Sequence, residues 1–134
     1  MTELEIGGVV LGIEYRNFGG DRGPSVKVFG DRRGERVQLL RFDCFEDDPH
    51  YHYDPTDGNR MFHIDTLTMG DAVAFTLDQL ATNTRSMVER AGFADAALGI
   101  DQAVLAGRID EVRQTIAAAV DTAAATAGPV DGQD

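Results

Sequence analysis

A single cysteine, Cys44, excludes an intrachain disulfide in this 134-residue chain and suits a reducing cytoplasm. Basic residues are scarce too. Twelve Lys and Arg stand against 23 Asp and Glu, a formal net charge of −11. Phosphate recognition needs concentrated Lys and Arg, so nucleic acid and anionic membrane surfaces are not expected as partners. The same imbalance favours cationic ligands, metal ions or basic partners. Long apolar runs are missing, and nothing approaches the roughly 20 apolar residues that span a bilayer. The chain starts with acidic residues, Glu3 and Glu5, where a secretory signal starts basic. A soluble cytoplasmic protein is expected. Phosphate-loop and dinucleotide signatures are lacking as well. The glycine-rich residues 18–25, "FGGDRGPS", have neither the spacing nor the strand-to-helix setting. They read as a chain break and mobile hairpin loop, through which Arg22 can reach an anionic ligand or a partner.

What is present is a core and a change of period. Hydrophobic residues make up 43% of the chain, enough to fold one domain. Residues 8–18 alternate, with Val9, Leu11, Ile13 and Tyr15 on one face and Gly12, Glu14 and Arg16 on the other. A short strand at 25–30, a turn at 31–35 and a long strand at 36–45 follow. The long strand has apolar residues of both parities, the mark of a central strand covered on both faces. Residues 50–53 and 60–65 supply the remaining strand patterns.

After Gly70 the period becomes helical. Val73, Leu77, Leu80, Thr84, Met87 or Val88, and Ala91 form one stripe, stopped by Gly92. One or two short helical turns end at Gly107. A last helix carries Ile109, Val112, Ile116, Ala119 or Val120, and Ala123, with Asp110 as its N-cap. Strands followed by helices without alternation predict an α+β fold. The expected architecture is an antiparallel meander of four to five strands, covered on one face by a C-terminal helical hairpin. Residues 1–127 form the domain and 128–134 a flexible tail.

All three histidines fall within residues 50–63. If residues 55–58, Pro-Thr-Asp-Gly, form a four-residue loop, Tyr53 faces Arg60, His52 faces Met61, Tyr51 faces Phe62 and His50 faces His63. One face then carries His50, His52, Met61, His63 and, at its end, Asp65. The other carries Tyr51, Tyr53, Phe62 and Ile64. Opposed side chains lie about 5 Å apart at Cβ, so His50, His52 and His63 with Asp65 can meet on a divalent metal, zinc or iron. Asp43, Glu46, Asp47 and Asp48 are further oxygen donors or orienting partners. The plainer alternative is an exposed polar hairpin face.

Tyr51 and Tyr53, with Phe62 and Phe45, make an aromatic wall that suits core packing or a small-ligand pocket. Residues 54–59, "DPTDGN", lack the spacing of a calcium loop and read as an Asp-Gly turn. Cys44, in an apolar strand context with Phe42 and Phe45 nearby, reads as a buried small hydrophobe, and Asp43, Glu46 and Asp47 disfavour a nucleophilic thiolate. Two functions follow. The favoured one is a small accessory or binding protein acting through self-association, as a homodimer, or through a protein partner. The alternative is a metal-dependent or histidine-based enzyme that acts on a small molecule.

Overall fold

Three two-residue turns fold the N-terminal part of the chain into a meander. Gly7-Gly8, Gly19-Gly20 and Arg33-Gly34 all have positive φ at both positions. That is the pattern of type I′ turns, whose twist matches that of the strands they join. They connect β1 (Thr2–Ile6), β2 (Val9–Phe18), β3 (Asp21–Arg32) and β4 (Glu35–Asp43). Then come β5 (His50–Tyr53) and β6 (Arg60–His63), and the six strands lie in sequence order in one antiparallel sheet. The computed structural model describes residues 1–131.

Helices follow: α1 (Thr66–Met69), α2 (Ala72–Arg90), α3 (Ala94–Leu98), α4 (Gln102–Gly107) and α5 (Ile109–Asp131). The α+β class and the meander are as the sequence predicts. The described residues form six strands, where four to five are expected, because β1 alternates only Leu4 and Ile6 against Glu3 and Glu5 and so carries little apolar signal. The expected break at 19–24 shrinks to the Gly19-Gly20 turn, and β3 begins at Asp21, carrying Pro24 opposite Tyr15. The mixed parity of β4 has a local cause. Its register against β3 shifts between Val28 and Phe29, leaving Leu39 as the extra residue of a bulge.

The core lies between one sheet face and the helices. Leu11, Ile13, Val26, Val28, Leu40 and Phe42 meet Leu77, Leu80, Val88, Leu105, Val112 and Ile116, all buried. Asp71 caps α2 by accepting from the Ala74 N–H, and Gly92 follows its end at φ +104°. Asp110 lies inside the first turn of α5, not at its cap, since the helix starts at Ile109. The β1–β2 turn is clamped under the helices: a Cβ on Gly8 would stand 2.1 Å from the Gly99 carbonyl oxygen. Among the described residues, no helix is long and apolar enough to cross a membrane. Of the expected tail at 128–134, the last three positions lie outside the described residues, and α5 reaches Asp131.

Candidate functional site: a carboxylate and two imidazoles on the uncovered sheet face

Strand pairing puts chemistry in rows across the face opposite the helices. One row runs Glu14, Ser25, Asp43, His50, His63, each paired with the next. The next runs Gly12, Lys27, Arg41, His52, Met61. The β5–β6 register is the one expected from a four-residue loop: His50 faces His63 and His52 faces Met61. The loop has its own supports. Asp54, at φ +53°, accepts from the Gly58 N–H at 2.9 Å, and Asn59 stands at φ +47°. It is an Asp-Gly turn.

Asp43 is the hub. It is 1% exposed, and its two oxygens have different neighbours. Oδ1 accepts from Ser25 Oγ at 2.8 Å and from Arg16 Nη1 at 3.0 Å. Oδ2 accepts from Arg41 Nε at 3.0 Å and faces His50 Nε2 at 3.1 Å and His52 Nε2 at 3.5 Å. Burial acts to raise the Asp43 carboxyl, but the contacts with His50 and His52, the Arg41 charge and the Ser25 hydrogen bond outweigh it and hold it far below the usual 3.8.

Proton positions on both imidazoles follow from their partners. His50 Nδ1 lies 2.8 Å from the Asp48 carbonyl oxygen, which can only accept, so Nδ1 carries a hydrogen. Its Nε2 faces a second acceptor, Asp43 Oδ2, which favours a second proton there. The Asp43 hydrogen bond accordingly raises the His50 pKa above 6.5, against the opposing effect of burial. His52 differs. Arg41 Nη2, which can only donate, approaches its Nε2 at 3.2 Å. His52 is therefore the Nδ1–H tautomer, donating to Asn59 Oδ1 at 2.8 Å.

Asp43, His50 and His52 thus offer three ligand atoms within 4.8 Å of one another, and the group can hold a metal ion. The other sequence candidates lie elsewhere. His63 is exposed and binds Asp48 Oδ1 at 2.8 Å, its ring 6.4 Å from that of His50. Asp65 caps α1 by accepting from the Leu67 N–H. Arg22 pairs with Glu46 at the surface, 3.0 Å apart. Tyr51 and Tyr53 are on the helix side, where Tyr51 stacks between Phe42 and Phe62. With Asn83, Ser86 and Arg90 they line a cleft of about 340 Å³. Phe45 leaves that aromatic group and meets His50 edge-on. Cys44 is buried against Thr76 and its thiol is pushed up to about 11 by that burial, so it is no nucleophile at neutral pH.

The sequence names Asp43 only as one of several further oxygen donors, and gives no role to Arg41. A local signal was available for one of them: Arg41 and Asp43 alternate on one face of β4, as His50 and His52 do on β5. The loop that brings the two strands together is pinned by Asp21, which accepts the Asp47 and Asp48 N–H groups at 3.0 and 2.8 Å.

A family model described as a domain of unknown function, DUF7700, matches residues 3–116, a span that holds the whole cluster. No curated protein and no solved structure matches the chain.

Proposed function

The chain belongs to the DUF7700 family, and we propose that its cluster on the uncovered sheet face binds a divalent transition-metal ion through Asp43 Oδ2, His50 Nε2 and His52 Nε2. The observation that carries this reading is the orientation of the two imidazoles. Each gives its Nδ1 hydrogen to a fixed acceptor, the Asp48 carbonyl and Asn59 Oδ1, and turns Nε2 toward one carboxylate oxygen. Outer hydrogen bonds of this kind fix the ring and tautomer in histidine metal sites. Two imidazoles and one carboxylate suit zinc or iron(II). The charge also balances. With His50 protonated, the ion at Oδ2 takes over the places of one guanidinium and one imidazolium proton, two positive charges in all.

Three protein ligands leave room for a bound water. Such an ion supplies a hydroxide nucleophile or a Lewis acid, which is how the site would serve a metal-dependent enzyme. Protein purified without a histidine tag and stripped with a chelator tests the reading. Calorimetric titration with zinc, and anaerobically with iron(II), is expected to give one ion per chain. His50→Ala/His52→Ala is expected to abolish it. Binding unchanged by the double substitution, or no binding by the wild type, overturns the proposal.

A second reading, a small binding protein that acts by self-association, draws on a different observation. Apolar side chains are exposed along β6 and α1: Met61, Phe62, Met69 and Leu67, the last at 94%. Apolar exposure concentrated in one stretch of chain is the kind that association would cover. Light scattering on the purified chain is expected to show a dimer that Leu67→Asp weakens, and a strict monomer counts against it.

A further inference from the structure

We propose that Arg41 is a resident competitor for the metal site, setting the free-ion concentration at which the site loads. The proposal rests on the metal reading above and concerns its regulation. The decisive atom is His52 Nε2. A neutral imidazole nitrogen has one lone pair, and here Arg41 Nη2 uses it at 3.2 Å. The same guanidinium holds Asp43 Oδ2 through Nε at 3.0 Å. Arg41 therefore spans two of the three atoms an ion needs, and at His52 the two cations exclude each other.

Arg16 stands in a different relation. It reaches Oδ1, beside Ser25 Oγ, and leaves Oδ2 alone. With those two bonds in place the carboxylate keeps its orientation when Oδ2 changes partner. Arg41 also has somewhere to go. Its side chain is 21% exposed and its cross-strand neighbour Lys27 is half-buried at the same surface, so the guanidinium can turn outward into water. An ion that binds must displace two charge-assisted hydrogen bonds first, which weakens apparent affinity.

Arg41→Met removes the competitor. Zinc is expected to bind this variant roughly tenfold to a hundredfold more tightly than the wild type, the value of hydrogen bonds to charged groups converted to an affinity ratio. Arg41→Lys keeps the charge without the planar fork and is expected to fall between. Arg41→Gln keeps an amide donor for Asp43 and provides the neutral comparison if the Met variant does not fold. Calorimetry with zinc reads the affinity, and thermal unfolding with and without zinc reads the same effect as a larger zinc-induced rise in Tm for Met or Gln. In wild-type protein the Arg41 Nε–H signal is expected to shift toward that of a solvated guanidinium when zinc is added. A merely structural role for Arg41 gives the opposite ordering, since loosening the cluster weakens binding. Equal or weaker zinc affinity in the folded neutral variants overturns this proposal while the metal site stands. Absence of zinc binding in all of them, wild type included, overturns both.

Discussion

Asp43→Asn is the sharpest perturbation of this protein in the absence of metal. Four donors converge on the carboxylate: Ser25 Oγ at 2.8 Å, Arg16 and Arg41 at 3.0 Å, and His50 at 3.1 Å. Asparagine has almost the same shape and keeps one oxygen for Ser25 and Arg16. Its amide hydrogens then face Arg41 and the His50 imidazolium, donor against donor, and the only negative charge at the hub is gone. Removing one partner of a buried ion pair costs about 3–5 kcal/mol. Arg16 and Arg41 remain 23% and 21% exposed, so water recovers part of their solvation. The lower end applies, about 3 kcal/mol, or roughly 10 °C in Tm for a domain of this size. Urea unfolding followed by circular dichroism at pH 6, with a chelator present, measures it. The slope against urea must match between the two proteins, so that the difference reports on the folded state. A loss below about 1 kcal/mol refutes the hub, and shows that the cluster behaves as a surface polar network.

Further outcomes follow from the same geometry. In chelator, stability is expected to decline as pH rises through the elevated His50 pKa, since a group whose pKa is raised by folding stabilises only while protonated. It is expected to fall again in acid, because the depressed Asp43 carboxyl stabilises only while ionised and the unfolded chain takes up protons near 3.8. Unfolding midpoints across pH 3–9 show both limbs, and a His50→Gln variant that kept the alkaline limb unchanged would contradict the assignment. Cys44, with its thiol near 11, is expected to resist iodoacetamide at pH 8 in the folded protein while reacting in urea; mass spectrometry decides, and rapid labelling of the native chain argues against its burial. Gly8→Ala and Gly20→Ala both place alanine at positive φ, but only Gly8 also meets a carbonyl oxygen, at 2.1 Å, while Gly20 has open space. Gly20→Ala is expected to cost about 1–2 kcal/mol and Gly8→Ala clearly more, and equal losses in urea unfolding would refute the clamp on the first turn.

Much of the local architecture is legible because its signals are local. Alternation in 9–15, the Asp-Gly turn, and the helical stripe from Val73 to Ala91 each depend on residues a few positions apart. The β5–β6 register belongs here too, since a short loop leaves little freedom of pairing and places His50 opposite His63. β1 escapes because an edge strand with two apolar residues resembles a polar terminus. The length of β3 escapes because Gly19-Gly20 suffices to turn the chain, which leaves Arg22, Gly23 and Pro24 to pair as strand.

The site lies on the other side of that divide. By itself the sequence determines that His50 and His52 share one strand face, that tyrosines back them, and that acidic residues are near. It does not determine which carboxylate they meet. His63, directly opposite His50, turns outward to Asp48 because β6 is an edge with water beside it, whereas Asp43 is drawn in beneath two arginines and a serine. That choice depends on β4 pairing with β5 across an irregular loop held by Asp21, and on β2 and β3 bringing Arg16 and Ser25 to the same carboxylate. Such pairings are long-range contacts, made only when the whole sheet closes, and a one-residue slip in any of them would send these side chains to the opposite face.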